Sequence, residues 1–328
     1  MVRLSRSVRL AFAVGLLLCL LGGIQVITWP RLSSEEELPN RRLSTDLLLV
    51  EESGTDFVLQ PGFHFNLSSN SALVNPRRAW NRPEHRLCVI VPFREFRNKR
   101  RQAQLERLAP YLNTWLQERG VSYVMIVAEQ EVGLPFNRGA VLNLGFLVSY
   151  HLCDYVVFHD VDNLPNNPEN NYRFPPNPIH LASAVHAEDM FPNVGGVLMA
   201  QSAHVLDLGG WTNLCWGWGN EDVEMYYRLQ RSSLTLDKLP LSVGTYRLLN
   251  HKSNSLPMTD PQWALNMKVA ESKRHGLSDP REGLLTIEGS ILEVVSDTPT
   301  YQHYIFRLSH RENLLPPVEV HEETSPNE

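Results

Sequence analysis

The 328-residue sequence holds only four cysteines, and no two of them form a CxxC pair, so the spacing that builds a structural zinc site is missing. It also lacks a basic excess. Thirty Lys and Arg stand against 36 Asp and Glu, for a formal net charge of −6. A phosphodiester backbone would meet no general cationic field, and nucleic acid is not an expected partner. No internal repeat is visible. What remains is ordinary globular composition, 43% hydrophobic and 20% charged, in a chain long enough for one large catalytic domain or two small ones.

Long apolar runs are scarce as well, and the single one lies near the N-terminus. Leu10 to Trp29 is free of charge over 20 residues, which as a helix would reach about 30 Å, the thickness of a bilayer core. Arg3, Arg6 and Arg9 precede it and Arg31 alone follows it closely, which favours a cytosolic N-terminus and a type II signal anchor. A cleaved signal peptide is the alternative, although its apolar region is usually shorter. The expected organisation is therefore a cytosolic tail (1–9), a transmembrane anchor (10–29), a luminal stem (30–85), a catalytic domain (86–310) and a mobile tail (311–328). The stem carries a glycosylation sequon at Asn66-Leu67-Ser68, usable only in the lumen. With Cys19 inside the anchor, Cys88, Cys153 and Cys215 remain. One disulfide plus one thiol, or buried small apolar side chains at Cys88 and Cys153, are both open.

From residue 86 onward, short apolar runs alternate with amphipathic segments, as when parallel strands are joined by crossover helices in an α/β fold. Strands are expected at Leu87 to Val91, Val121 to Val127, Tyr155 to Phe158 and Gly195 to Ala200, with helices at Arg138 to Tyr150 and Glu221 to Leu229. Leu105, Leu108, Leu112 and Leu116 recur at helical spacing, so they form one apolar face. The third strand ends at His159-Asp160-Val161-Asp162, and ligands of open α/β sheets bind beyond such strand ends.

Candidate chemistry gathers at these ends. Asp160 and Asp162, on the same side of an extended segment, suit a hard divalent cation and a ribose hydroxyl; a strand-end turn capped by Asp is the alternative for an isolated D-x-D. Trp216-Gly217-Trp218-Gly219 sets two aromatics beside residues free to take positive φ, the composition of a loop that closes over a ligand. Glu221, Asp222 and Glu224 follow at an expected helix start, where the macrodipole stabilises carboxylates. Pro92-Phe93-Arg94 and Phe136-Asn137-Arg138 offer rings and guanidinium groups to a base and a diphosphate. His251 is a candidate metal ligand.

In order, PFRE, FNRG, HDVDNLP, VGG, WGWGNEDVE, YRLLNH and REGL resemble the β-1,4-galactosyltransferase family from about Leu87 to Leu308, and the HDVDxLP and PFRE forms are most similar to its xylosylprotein branch. The resemblance implies a GT-A-like nucleotide-sugar-binding sheet, Golgi residence, UDP-galactose, Mn2+ (with Mg2+ as alternative) and a single inverting displacement onto a glycan acceptor. By position it assigns the metal to Asp162 and His251. It assigns the donor to Pro92, Phe93, Arg94, Phe136, Arg138, Asp160, Val161 and Trp218, sugar hydroxyls to Glu221, and the general base to Asp222, which with Val223 faces the acceptor.

Three departures from the family pattern involve four positions. Leu248 and Leu249 replace metal ligands of the classical and xylosyl branches. Val223 replaces a second Asp after the base. Asn193 stands where galactose-specific members carry tyrosine, which leaves room for UDP-N-acetylgalactosamine as donor. An N-acetylgalactosaminyltransferase and a non-catalytic glycan-binding protein are therefore the alternatives.

Overall fold

The computed structural model describes residues 64–66, 85–95, 100–217, 219–249, 259–277, 283–298 and 300–309. The expected anchor, most of the stem and the C-terminal tail lie outside these residues, as do Trp218 and His251; of Asn66 only the backbone is described. No helix among the described residues is long and apolar enough to cross a membrane.

In chain order the elements are β1 (His64–Asn66), β2 (Arg86–Phe93), α1 (Arg100–Glu118), β3 (Ser122–Gln130), α2 (Arg138–Ser149), β4 (Tyr155–His159), β5 (Asn163–Pro165), β6 (Ile179–His180), β7 (Val197–Gln201), α3 (Ser202–Asp207), α4 (Glu221–Arg231), β8 (Asp237–Lys238), β9 (Tyr246–Leu248), α5 (Pro261–Arg274), β10 (Glu288–Thr298) and β11 (Tyr301–Leu308). The apolar run of β2 is buried from Leu87 to Phe93, as a central strand covered on both faces must be. The leucine stripe of α1 behaves as its spacing requires: Leu105, Leu108, Leu112 and Leu116 are each 0% exposed and join the β2, β3 and β4 side chains in one core.

A nine-stranded sheet runs in the order β1-β10-β11-β3-β2-β4-β7-β6-β8, and β5 pairs separately with β9. The centre is parallel, with β2 between β3 and β4. The all-parallel expectation needs correction at the flanks. Strand β7 runs antiparallel to β4, and β10 returns along β11 as an antiparallel hairpin whose second strand adds parallel to β3. A direct antiparallel return needs no crossover helix, so a period-based reading that expects helices between strands misses it.

Of the two readings open for Cys88 and Cys153, the structure takes the crosslink. A disulfide joins them across 65 positions, tying β2 to the segment entering β4, while Cys215 is a buried thiol. Closing a loop of that length stabilises a fold by about 4 kcal/mol in the chain-entropy account. Replacing both cysteines by alanine is expected to lower the urea-unfolding stability of the oxidised protein by that order. An unchanged midpoint contradicts the pairing.

Candidate functional site

The site is organised around Arg138, the first residue of α2. Helix α2 begins where it does because Asn137 caps it, its side-chain oxygen accepting the Ala140 N–H at 2.9 Å while its amide nitrogen reaches Asn213 O at 2.8 Å. An N-cap of this kind satisfies a donor the helix leaves open. The next turn fits only as glycine: a β-carbon on Gly139 would lie 1.9 Å from Thr212 O. With the helix seated on the Trp211–Thr212 segment, the guanidinium of Arg138 sits over the Trp211 ring, 5.3 Å from its centroid. It donates to Asp160 Oδ1 through Nη2 at 2.7 Å and Nε at 3.0 Å, and reaches Glu221 Oε1 at 3.3 Å. One residue thus joins the end of β4 to the start of α4.

The Arg138 side chain, 14% exposed, lies among three carboxylates, those of Asp160, Glu221 and Asp222. Burial opposes its charge, but the three carboxylates more than offset this and hold its proton above the ordinary arginine range. One cation cannot satisfy three anions. Burial and then the repulsion of Asp222 therefore push the Glu221 carboxyl up to about 7 against the pull of Arg138. Burial also raises Asp222, against the attraction of Arg138 and then His186. Buried acids with raised proton affinity beside a fixed cation are the pattern of proton-handling sites.

Asp160 and Asp162 do not share one side of an extended segment. Residues 160–162 form a turn, with the Asn163 N–H bonded to Asp160 O at 3.3 Å, and the two carboxylates part: Asp160 goes to Arg138, and Asp162 Oδ2 to Arg101 Nη1 at 3.0 Å. The turn is anchored from below by His159, which sequence reasoning passed over. Burial lowers its imidazole to about 4, so it is neutral, with Nδ1–H donating to Asp160 O at 3.0 Å. Its Nε2 then accepts from Tyr172 OH at 3.1 Å, whose oxygen accepts from Tyr246 OH at 2.8 Å, itself held by Asn170 Nδ2 at 2.8 Å.

Among the described residues no three His, Cys, Asp or Glu side chains group to hold a metal ion. Asp162, 7% exposed, offers a hard oxygen donor, and the Leu249 N–H bonds its carbonyl at 2.7 Å. The backbone at Leu249, the last described residue before 250–258, is thus held to Asp162. A buried carboxylate of this kind suits a divalent cation whose shell a substrate's phosphate oxygens complete.

The WGWG segment shows the expected backbone, with Gly217 at φ 78° and Gly219 at φ 92°. Its support comes from Asn266 on α5, another residue sequence reasoning did not find. Asn266 Nδ2 donates to Trp216 O at 2.8 Å and Gly219 O at 3.1 Å, while its Oδ1 accepts the Trp216 N–H at 3.2 Å. The sequence signal for α5 was present in Asp260-Pro261, the N-cap and first-turn proline of that helix. Glu224, expected within the acidic group, instead turns into the core to bind Arg228 at 2.6 Å, with Lys273 of α5 at 3.9 Å.

The remaining candidates are distributed around this centre. Pro92 and Phe93 end β2, and the buried Phe93 ring meets His303 edge-on, centroids 5.9 Å apart. Arg94 donates to Leu134 O. The Phe136 carbonyl accepts the Gly217 N–H at 2.7 Å, linking the FNR segment to the WGWG loop. Val161 and Val223 are both 5% exposed; Val161 belongs to the core. Asn193 fastens its own loop, with Nδ2 on Asp189 Oδ2 at 2.8 Å and Oδ1 on the Gly195 N–H at 3.0 Å. Leu248, at a position where the classical branch carries a metal ligand, is exposed.

Comparison with known proteins agrees with this arrangement. Residues 66–175 match the N-terminal region of glycosyl transferase group 7, and residues 180–252 match the N-terminal domain of galactosyltransferase. A Caenorhabditis elegans xylosylprotein 4-beta-galactosyltransferase is 37% identical over 229 residues, covering 65% of this chain and 78% of that protein. The beta-1,4-galactosyltransferase 7 of Mus musculus is 34% identical over 218 residues, 63% of each chain. Its Homo sapiens counterpart is 35% identical over 205 residues, 61% of this chain and 59% of that one. The chain thus spans about three-fifths of the length of these two mammalian relatives. Among solved structures, the catalytic domain of Drosophila beta-1,4-galactosyltransferase 7 in complex with xylobiose superposes with a TM-score of 0.60 at 26% identity, covering 70% of this chain and 96% of that one. A mutant of the same protein in complex with manganese, UDP-Gal and xylobiose gives a TM-score of 0.59 at 26% identity, with the same coverage. The sheet is accordingly GT-A-like, and the chain belongs to the β-1,4-galactosyltransferase family.

Proposed function

We propose that this chain is an inverting β-1,4-galactosyltransferase that moves galactose from UDP-galactose to a xylose-bearing glycan acceptor. The observation that carries this is the Arg138 bridge, which sets Asp160 at the strand end against Glu221 and Asp222 at the helix start. Relatives named for galactosyl transfer to xylosylprotein, and neighbours solved with UDP-Gal and xylobiose, support the substrate pair.

In this proposal Pro92, Phe93, Arg94, Phe136, Arg138, Asp160 and Val161 receive the nucleotide and diphosphate, Trp218 closes over the donor, and Glu221 holds sugar hydroxyls. Asp222 takes the proton of the acceptor hydroxyl as that oxygen bonds the sugar carbon and the bond to the departing diphosphate breaks, a single displacement that inverts configuration. Asp162 and His251 would hold manganese, which would supply positive charge for the leaving diphosphate. Arg101 now holds the Asp162 carboxylate in place. The Cys88–Cys153 disulfide supports an oxidising compartment, in keeping with a Golgi protein anchored at 10–29 with its catalytic domain in the lumen.

The base assignment is tested with Asp222→Asn in the full chain. UDP binding is expected to persist while galactose transfer falls by a factor of roughly 10² or more; undiminished transfer removes Asp222 from the role. A second test uses pH. Because the Glu221 carboxyl rises from an ordinary 4.5 to about 7 in the folded chain, its contribution to stability is fully present below about 4.5 and is lost as pH rises through about 7. Glu221→Gln, uncharged throughout, is expected to melt with the parent protein near the lower limit and above it at about pH 8 without ligands. A constant difference at both pH values contradicts the assignment.

A further inference from the structure

Beside Asp222 lies a polar pair with no part in the proposed transfer. Asp222 Oδ1 accepts the Val223 N–H at 2.9 Å, whereas Oδ2 has no hydrogen-bond donor among the described residues. What Oδ2 faces is Gly195: a β-carbon there would sit 2.8 Å from Oδ2 and 3.2 Å from His186 Cε1. On the next residue, Gly196, held at φ 76°, a β-carbon would lie 3.1 Å from His186 Nε2. The imidazole and the free oxygen of the base thus look onto the same bare strip of backbone.

The ring is held on two sides. Its Nδ1 is 2.8 Å from Asp189 Oδ2, and the same oxygen accepts from Asn193 Nδ2 at 2.8 Å while Asn193 Oδ1 grips the Gly195 N–H at 3.0 Å. His180 stacks against it with centroids 6.0 Å apart, itself fixed through Nε2 to Gly195 O at 2.8 Å. A carboxylate only accepts, so Nδ1 carries the hydrogen, and in the tautomer so fixed Nε2 is the lone-pair acceptor. The side chain is 24% exposed, within reach of a ligand arriving from solvent.

A sugar carries hydroxyls on adjacent carbons, so one that gives a proton to Asp222 Oδ2 brings its neighbour close by. Val223, buried and apolar, offers that neighbour nothing. We propose that His186, oriented by Asp189, is an acceptor-recognition residue whose Nε2 takes the hydrogen bond of the hydroxyl adjacent to the one deprotonated by Asp222. This deepens, and rests on, the galactosyl-transfer proposal.

The test is steady-state kinetics of the full chain with UDP-galactose and two acceptors, 4-nitrophenyl β-xyloside and its 3-deoxy counterpart. The parent protein is expected to lose roughly 3- to 10-fold in kcat/KM on the deoxy acceptor, the scale of one neutral hydrogen bond. His186→Ala is expected to raise the KM for the full xyloside by a similar factor, to be indifferent to deoxygenation, and to keep donor affinity and melting temperature. His186→Gln, whose amide reaches the place of Nε2, should recover most of the discrimination; Asp189→Asn, which frees the ring's tautomer, should lose part of it. A full deoxygenation penalty in both His186→Ala and Asp189→Asn overturns the assignment, as does a loss of donor affinity equal to the loss of acceptor affinity. A parent protein that does not turn over the xyloside at all refutes the galactosyl-transfer proposal itself, and this assignment falls with it.

Discussion

The arrangement depends on one largely enclosed cation shared unequally among three acids. Arg138 gives its strongest bonds to Asp160 and a longer one to Glu221, and in doing so fastens the loop leaving β4 to the N-terminus of α4. Truncating one partner of such a buried group leaves an uncompensated charge, which costs about 3–5 kcal/mol. The surrounding features serve that placement: the Asn137 cap, the close approach at Gly139 and the Trp211 ring fix the guanidinium, and the His159–Tyr172–Tyr246 chain fixes the turn that presents Asp160.

The imbalance also shapes the chemistry. Desolvated by burial, and with one positive charge against three carboxylates, Glu221 and Asp222 hold protons more tightly than exposed acids do, and an acid whose proton affinity moves toward neutrality is better matched to abstracting a hydroxyl proton near neutral pH. The geometry around Asp222 divides its two oxygens, one committed to the Val223 N–H and one open toward Gly195 and His186. The glycine pair at 195–196 is thus a floor on which base and imidazole meet. Substitution at Gly196 would disturb both the left-handed backbone and that meeting.

Much of the fold was legible where one physical rule acts alone. The buried runs of β2 and β4 and the leucine stripe of α1 report burial on two faces and on one, and the acidic cluster at Glu221 marks a helix start. Legibility ended where partners are distant in sequence. Nothing local to Asp160 says that its carboxylate belongs to Arg138 and that of Asp162 to Arg101, and so the turn read as an extended pair. Asn266 and His186 carry no motif; each matters through a neighbour some 50 or 36 positions away. The β10–β11 hairpin was hidden because its alternation is weaker than the apolar runs at the centre and it follows a loop, not a crossover helix.

The most direct test of the shared-cation account is a double-mutant cycle on unfolding free energy at about pH 8, above the value of about 7 to which the Glu221 carboxyl is raised. Arg138→Gln alone is expected to destabilise the ligand-free chain by about 3–5 kcal/mol, and adding Glu221→Gln to it should restore a substantial part of the loss by removing one of the stranded charges. Strictly additive effects of the two substitutions would contradict the account.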